Sequence, residues 1–518
     1  MFKLSQRPTR LLSRSIVIGM ACCYWAETSG QSFNRRYDLL LQGVSQTAWS
    51  VETDGVGGYV IYIAGAFQDS LYYSSVIGAI RLDALGNVVS TSHNTLPGKV
   101  AYPGLSNTSC RTSSGHHVIG GNTFTNPDSL RAALFKFNEL GEPDTVFEFL
   151  LPTLETVGRQ AKATPDGGFV VCGETTLGDY LDAFIIKADS AGNVEWYQTY
   201  GGIIVRDIAN SLALSSDGGY FMGGSKEVAF DSFDQWVVRV DSTGDVVWED
   251  TYGIPNNDDV AGAGIEALAD GNLVFASSWN ISETLGYHPC LVKLDGAGNV
   301  IWSDTYGGPA GLAALYVVKE ISPNGDLIAS GQYEPLGDGQ QGCLLRTSSA
   351  GDSLWMRLYF YADSLMSDGE GALRDVLPTT DGGFIAVGRV NWSHSGNDPP
   401  GYNPDVWVVK VDSMGCLEPG CHLITGLQSQ ATNLRGALTA APNPAGEVAY
   451  VKWELPAAMV GSARLSVVSA AGQLVSSVAL VLADKGQKLD VSNYPAGLYH
   501  LHLVVDGKWV SGARLVVE

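Results

Sequence analysis

The stretch DQWVVRVDSTGDVVWEDTYG at residues 234–253 decides the fold, because relatives of it recur along the chain. A short turn precedes each copy, as SSDGGY at 215–220 precedes this one. The first glycine of each turn lies 51 to 58 residues after the previous one, at positions 57, 115, 167, 218, 271, 325 and 382. Self-similarity at a period of about 50 residues is typical of repeat proteins, and this sequence carries seven copies.

Each repeat has the pattern of a group of β-strands. Apolar runs of four to six residues are separated by Gly and Asp turns, and none keeps a helical period for three turns. The DSTGD turn at 241–245 can place an Asp oxygen on backbone N–H groups and a glycine at positive φ, which makes a tight hairpin. Four-stranded sheets repeated radially form β-propellers. We therefore predict an all-β fold, with a seven-bladed β-propeller followed by a small C-terminal β-sandwich.

The seventh repeat is incomplete at its end. It runs through Asp405–Gly415 but lacks the closing W-x-x-T-Y-G strand of the other repeats. Residues Phe33–Gly43 (FNRRYDLLLQG) stand before the first turn, where the tail of a blade would belong. We predict that this N-terminal strand completes the last blade. The propeller would then span residues 31–421, and closing its ring would remove the exposed sheet edges that invite aggregation.

Three blades share the pattern D-x-x-G-x-x-x-W, which ends at Trp196, Trp248 and Trp302. This pattern resembles the docking motif of quinoprotein-type propellers. We interpret these tryptophans as packing groups rather than sugar-binding platforms, because each recurs at the same place in its blade. Burying one such side chain stabilises the fold by at most about 4–6 kcal/mol. Quinoprotein dehydrogenases also use a vicinal cysteine pair near their cofactor, and the one such pair here, Cys22–Cys23, lies in the export signal. We therefore expect no cofactor.

The N-terminus is typical of a secretory signal. Residues 1–14 hold four basic side chains, and residues 15–26 form an apolar stretch too short to span a membrane. We place the signal peptide at residues 1–30, with a lipoprotein signal at Cys22 as the alternative. No later run approaches the roughly 20 apolar residues of a spanning helix. A formal net charge of −23 disfavours nucleic acid as a partner.

The last part of the chain is a different module. Residues 422–436 are polar and small, which predicts a linker. The residues that follow include P-N-P at 442–444, the turn at 470–472, YPAGLY at 494–499 and Arg514 in the last strand. As a set they resemble the type A C-terminal sorting domain of the type IX secretion system of Bacteroidota. We assign residues 437–518 to this domain.

That resemblance implies a route and a partner. The protein would cross the inner membrane by the Sec route, fold in the periplasm, and be recognised by the type IX secretion machinery through its C-terminal domain. It would then be released, or attached to the outer cell surface, normally after cleavage of the domain. The resemblance implies nothing about what the propeller itself does.

Two cysteines suit a disulfide. Cys416 and Cys421 enclose a short loop after the last propeller strand, and in an exported protein a bond there would be worth roughly 2 kcal/mol by loop entropy. His422 beside them does not complete a zinc site, and we expect no metal. The acidic segments 256–259 and 397–398 leave calcium binding as an alternative.

The sequence contains no familiar catalytic set. It lacks the H-E-x-x-H, G-x-S-x-G, P-loop and EF-hand motifs. The two tight turns of each repeat lie on one face, so the long connections share the other face, where recognition usually resides. We predict that ligand-binding residues lie among the aromatic and histidine side chains of this loop face, namely Tyr180, Trp279, Tyr287, His288, Tyr333, Trp392, His394 and Tyr402. The alternative is that these side chains only plug the loops.

Together, these features favour a secreted or surface-attached binding or adhesion propeller without enzymatic activity. We expect a monomer whose ligand is a polysaccharide or a protein. The alternative function is that of an extracellular glycan-active hydrolase or lyase that uses carboxylates from the same loops.

Overall fold

The computed structural model describes residues 32–39, 45–69, 72–94, 96, 98–125, 130–151, 155–177, 180–202, 206–229, 232–254, 264–282, 286–308, 310–321, 323–336, 339–362, 370–391, 404–424, 429–432, 434, 436–470 and 473–518. In these residues the regular structure consists of β-strands and two short 3-10 helices, Cys421–Leu423 and Leu482–Asp484.

Strand β1 (Phe33–Tyr37) precedes the first three blades. Blade 1 contains β2 (Gln46–Thr53), β3 (Tyr59–Asp69), β4 (Tyr72–Leu82) and β5 (Val88–His93). Blade 2 contains β6 (Val100–Pro103), β7 (Ser109–Arg111), β8 (His117–Phe124), β9 (Leu130–Phe137) and β10 (Pro143–Glu148). Blade 3 contains β11 (Glu155–Ala163), β12 (Phe169–Leu177), β13 (Tyr180–Ala188) and β14 (Val194–Tyr200).

Four more blades follow in the same strand order. Blade 4 contains β15 (Asp207–Leu214), β16 (Tyr220–Ala229), β17 (Ser232–Val240) and β18 (Val246–Tyr252). Blade 5 contains β19 (Gly264–Ala267), β20 (Leu273–Ser282), β21 (Gly286–Leu294) and β22 (Val300–Thr305). Blade 6 contains β23 (Ala310–Ile321), β24 (Asp326–Pro335), β25 (Gln341–Thr347) and β26 (Ser353–Tyr361). Blade 7 contains β27 (Glu370–Pro378), β28 (Phe384–Asn391) and β29 (Asp405–Val411).

The blades form a closed ring. The first strands of successive blades contact each other in the order β2, β7, β11, β15, β19, β23 and β27, and β27 contacts β2. Apolar side chains fill the space between blades, as Ile185 of blade 3 and Met222 of blade 4 do in one shared cluster. The fold is therefore the predicted all-β, seven-bladed β-propeller, with its first strands around a central channel.

The N-terminal strand lies at the outer edge of blade 7. Strand β1 pairs antiparallel with β29, with Phe33 opposite Lys410 and Tyr37 opposite Val406. The fourth strand of blade 7 therefore comes from the opposite end of the propeller chain. This is the pairing that the split repeat predicted.

The fourth strand of a blade packs on a turn of the next blade and donates a hydrogen bond to it. The Tyr252 hydroxyl donates to the carbonyl of Gly298, 2.7 Å away, and a Cβ on Gly298 would lie 3.1 Å from the Trp248 ring. Gly298 has a φ of +88°, so this turn needs glycine for its backbone and for close packing. The same bond, at 2.7–2.8 Å, joins Tyr37 to Gly86, Tyr200 to Gly244, Tyr306 to Gly351 and Tyr359 to Gly415. The recurring tryptophans thus pack between blades, as predicted.

The C-terminal module is a sandwich of two sheets. Its strands are β30 (Ser429–Thr432), β31 (Leu438–Ala441), β32 (Val448–Trp453), β33 (Ala463–Ser469), β34 (Leu474–Leu480), β35 (Gly486–Asp490), β36 (Gly497–Val505) and β37 (Lys508–Val517). One sheet has the order β31-β32-β35, and the other contains β30-β37-β36-β33-β34. A single apolar cluster that includes Trp453 and Leu501 lies between them.

Strand β30 corrects the expectation that residues 422–436 are only a linker. It pairs in parallel with β26 of blade 6 on one side and with β37 on the other, so one sheet continues from the propeller into the C-terminal module. Gln430 of this strand is fully buried and bonds the backbone of Gly415 and Leu417. Composition did not reveal the strand because its four residues, SQAT, are small or polar and are buried through backbone pairing.

The predicted disulfide is confirmed. Cys416 and Cys421 are bonded, with an S–S distance of 2.04 Å. Both sulfur-bearing side chains are buried in a cluster that also contains Trp509 of the C-terminal module. The disulfide loop is therefore part of the contact between propeller and C-terminal module.

Candidate functional site in the axial channel

Five blades carry a β-bulge at the same place in their first strand. The pairing register skips one residue in β2, β11, β15, β23 and β27. The skipped residues are Trp49, Arg159, Asn210, Tyr316 and Arg374. Each is partly exposed, whereas the residues on either side of it are buried. Because the first strands surround the axis and a bulge re-aims its side chain, we infer that these five side chains face the channel, and we call the five residues the bulge ring.

A cation contacts two aromatic side chains within the bulge ring. The guanidinium carbon of Arg374 is 4.2 Å from the ring centre of Tyr316 and 5.4 Å from that of Trp49. Both distances are in the range of cation–π attraction. The three residues belong to blades 7, 6 and 1, so this cluster forms where those blades meet at the axis.

Arg374 has no anionic partner among the described residues. Its contacts there are the two rings, and its buried Nε and the buried Nε1 of Trp49 find no hydrogen-bond acceptor in the described chain. Burial lowers the pKa of Arg374, the Tyr316 hydroxyl opposes that change, and the nearby charge of Arg389 adds to it. Buried donors in native proteins normally meet an acceptor, so the cluster suits water or a ligand that brings acceptor atoms.

The carboxylate next to this cluster has a structural role. Asp375 is fully buried, and its Oδ2 accepts from the Val51 backbone N–H at 3.0 Å and from the Ser50 hydroxyl at 2.9 Å. Its Oδ1 lies 2.8 Å from Lys319 Nζ. Asp375 therefore ties blades 6, 7 and 1 together. Gln160 makes the related bond between blades 3 and 4, where its Oε1 accepts from the Leu212 N–H at 2.6 Å.

A second set of side chains follows three residues after the bulge. This lower ring, nearer the tight turns, carries Glu52, Lys162 and Lys319, and Glu266 occupies the corresponding repeat position of blade 5, where no bulge is described. Burial raises the pKa of Glu52 against the attraction of Lys319, and burial raises that of Glu266 against Lys162. For Lys319, burial would lower the pKa, but Asp375 and Glu52 outweigh it and raise the pKa. The lower ring thus mixes acids with amines, whereas the bulge ring holds a cation without a counter-charge among the described residues.

The predicted loop-face residues of blades 5 and 6 are packed side chains. Trp279 and His288 form a cross-strand pair, and Trp279 packs into the apolar cluster between blades 4 and 5. Tyr287 packs against the cluster that blades 5 and 6 share. Tyr333 is buried, and its hydroxyl donates to the carbonyl of Gly308 at 2.5 Å. These placements agree with the plugging alternative, whereas Trp279 Nε1 and His288 Nε2 are buried without a hydrogen-bond partner among the described residues, so ligand binding by these residues stays a prediction.

Four further residues of that prediction are less fully described. Tyr180 begins β13 opposite Leu177, next to the loop face. Trp392, His394 and Tyr402 lie outside the described residues, in the segment that follows β28. The possible calcium segments 256–259 and 397–398 also lie outside them.

Sequence reasoning missed the bulge ring. Its five members occupy one repeat position, eight or nine residues before the first glycine of the DGG-type turn. At that position a large or polar residue interrupts small and apolar neighbours, as Trp49 does in TAWSV at 47–51. That recurrence is the signal that could have found the ring.

Comparison with known proteins identifies the C-terminal module. Residues 439–518 match the family model of the secretion system C-terminal sorting domain. The protein is therefore exported by type IX secretion to the cell surface or the extracellular space. No curated protein gives a significant match to the chain. In the described residues, no helix has the length and hydrophobicity needed to cross a membrane.

Solved structures resemble the chain at low identity. An α-L-arabinanase of Penicillium chrysogenum complexed with arabinobiose is 12% identical over 62% of this chain and 99% of its own, with a TM-score of 0.39. A subtype N10 neuraminidase-like protein of A/little yellow-shouldered bat/Guatemala is 11% identical over 61% and 98%, with a TM-score of 0.35. BBS1N in complex with ARL6DN is 13% identical over 75% and 98%, with a TM-score of 0.43.

The described residues contain no group of three or more His, Cys, Asp or Glu side chains placed to hold a metal ion. The free cysteines among them are Cys110, which is partly exposed, and Cys172, Cys290 and Cys343, which are buried. Burial raises the pKa of Cys110 and of Cys172 to about 12, so these thiols are poor nucleophiles at neutral pH.

Proposed function

We propose that the protein is a secreted, non-enzymatic binding propeller that captures a polysaccharide at the mouth of the axial channel. One contrast in the channel supports this proposal. Asp375 is held by a lysine, a serine and a backbone N–H, whereas Arg374 lies against two aromatic rings and finds no acceptor in the described chain. Groups without internal partners are suited to binding, and a carboxylate fixed by three partners is poorly placed for proton transfer.

The loop face is the entrance that this proposal favours. The first strand of each blade runs from the loop face to the tight turn, and the bulge ring precedes the lower ring along that strand. A ligand arriving from the loop face would therefore meet Arg374 before it met Glu52 or Glu266. Described residues on the loop face would add contacts around the mouth.

The test is a panel of soluble polysaccharides offered to the purified mature protein, with binding and chain cleavage measured separately. We expect retention of at least one polysaccharide without new reducing ends. Retention of none, or cleavage of the retained chain, would contradict the proposal.

A glycan-active enzyme is the second candidate, and two carboxyls favour it. Burial raises the pKa of Glu52 and that of Glu266 in the channel, and a raised carboxyl pKa suits a general acid. If this candidate is correct, Glu266→Gln or Glu52→Gln should abolish cleavage while binding persists. Cleavage that both variants retain would exclude these residues as its acids.

A further inference from the structure

We propose that the Arg374 cluster is a binding site for a single carboxylate, carried by an acidic sugar residue of the polysaccharide. The inference rests on the proposed function and deepens it. It starts from the bulge ring, where Arg374, Trp49 and Tyr316 meet. These side chains come from three different blades, so the site exists only because the ring is closed.

The positive charge at this site is local and uncompensated. Arg374 has a neighbouring cation, Arg389, which lies on β28 opposite Ala372 of the first strand. For neither arginine does the structure record an ion pair with a described residue. Asp375, the acid next to Arg374 in sequence, is otherwise engaged, because it bonds Lys319 and Ser50. An anion in the channel would supply the missing counter-charge.

The chemistry of the donors favours a carboxylate. A guanidinium presents several N–H groups in a planar fork that matches the two oxygens of a carboxylate. The buried indole Nε1 of Trp49, which also lacks an acceptor among the described residues, is a second donor, at the edge of the ring that Arg374 contacts. The aromatic rings next to the cation offer apolar surface to the C–H groups of a sugar ring.

The surrounding charges limit the ligand to one negative charge at this site. Glu52 and Glu266 lie one step further along the channel, and the whole chain has a formal net charge of −23. Lys162 and Lys319 offset these two acids in the lower ring, so the bias against a dianion such as sulfate or phosphate comes from the negative field of the whole chain. A ligand that presents one carboxylate to the cluster fits these charges best.

Matched ligands and matched variants test the inference. Oligogalacturonate and its methyl ester have the same sugar chain and differ in charge, so their affinities for the mature protein can be compared by calorimetry. We expect the acid form to bind at least about tenfold more tightly than the ester, the size of effect that a charge-assisted hydrogen bond produces. Arg374→Gln should lower the affinity for the acid form to that for the ester.

The control variants distinguish the loss of this site from a loss of folding and from a change in net charge. Arg464→Gln removes the same charge from an exposed position in the C-terminal module and should leave affinity unchanged. Trp49→Phe keeps an aromatic ring but removes the indole donor. It should weaken binding of the acid form several-fold. Arg374→Lys, which keeps the charge and loses the fork, should bind with intermediate affinity and provides a folded variant if Arg374→Gln is unstable.

Four outcomes would overturn the inference. They are equal affinity for acid and ester, no binding of either, unchanged binding by Arg374→Gln, and tighter binding of sulfate, phosphate or oligoglutamate than of oligogalacturonate. If a neutral polysaccharide of the panel is retained while these results are obtained, the proposed function stands and this inference fails. If the panel shows no retention or shows cleavage, the proposed function fails as well.

Discussion

The hydroxyl of Tyr37 donates a hydrogen bond to the carbonyl oxygen of Gly86, 2.7 Å away. Tyr37 lies in the N-terminal strand of blade 7 and Gly86 in a turn of blade 1. The contact therefore crosses the seam at which the two ends of the propeller chain meet. Phe33 packs on the same glycine, where a Cβ would lie 2.7 Å from the Phe33 ring. The seam therefore has the same ring contact and tyrosine hydrogen bond as the interfaces between the other blades.

Tyr37→Phe should weaken this seam without disturbing its packing. We expect the free energy of unfolding to fall by about 0.5–1.5 kcal/mol, the net value of one hydrogen bond, in chemical denaturation of the mature chain. Tyr450→Phe is the control, because Tyr450 is 55% exposed, and it should change stability by less than about 0.5 kcal/mol. If the two variants were equally stable, the hydroxyl bond would not stabilise the seam.

Substitutions at two glycines can distinguish the stability cost of the turn conformation from the cost of lost packing. Gly298 and Gly271 have φ of +88° and +82°. A Cβ on Gly298 would lie 3.1 Å from the Trp248 ring, whereas one on Gly271 would have no neighbour within 4 Å. Gly271→Ala should cost about 1–2 kcal/mol for its backbone alone, and Gly298→Ala should cost at least about 1 kcal/mol more because the blades must separate. Equal losses in thermal unfolding would show that the Trp contact is dispensable.

The blades could be predicted from the sequence because their signals are local. The glycine and Asp of the DSTGD turn at 241–245 act within a few residues, and Trp248 and Tyr252 recur at a fixed spacing after them. Phe33 and Tyr37 keep the same four-residue spacing, which is why closure by the N-terminal strand could be anticipated. The hydrogen bonds that these tyrosines make lie in the next blade and could not be read from one repeat.

The candidate site was less predictable because it depends on the ring as a whole. Arg374, Trp49 and Tyr316 lie far apart in sequence and meet only when seven first strands surround one axis. A single strand does not mark its β-bulge, and the signal appears only when the same position is compared across the repeats. The loop-face position of Tyr333 predicts an accessible side chain, yet Tyr333 is buried against Gly307 and Gly308, since the connection between blades 5 and 6 packs on its ring.

The contact between propeller and C-terminal module should be sensitive to acid. Burial lowers the pKa of His502 to about 3, with His500 and His422 adding to it, and its Nδ1 accepts from the Trp509 indole N–H at 3.0 Å. Protonation therefore favours the unfolded state, in which the pKa returns to about 6.5. Stability is present above that pH and is lost as the pH falls towards 3.

At pH 5 this loss amounts to about 2 kcal/mol relative to pH 7.5. Burial also lowers the pKa of His117 to about 4, so denaturation of the mature chain at both pH values measures the sum, and His502→Gln should lose about 2 kcal/mol less stability between them than the native chain does. His93→Gln, at an exposed histidine, should keep the full pH dependence. A His502 variant with the same pH dependence as the native chain would show that this histidine does not govern acid sensitivity.

Two truncations test whether β30 belongs to the propeller. A mature chain ending at residue 424 exposes the edge of β26, whereas one ending at 436 retains β30, which pairs with that edge. Uncovered sheet edges invite aggregation, so the shorter chain should melt at a lower temperature and aggregate more readily. Both should be less stable than the full mature chain, because both lose Trp509. Equal melting of the two truncated chains would contradict a structural role for β30.

The most direct test of the central claim is a crystal structure of the mature protein with the polysaccharide that it retains. We predict that the sugar chain enters the axial channel from the loop face and contacts Arg374 and Trp49. A polysaccharide bound to the tight-turn face or to the outer strands, with no contact to Arg374, would contradict it.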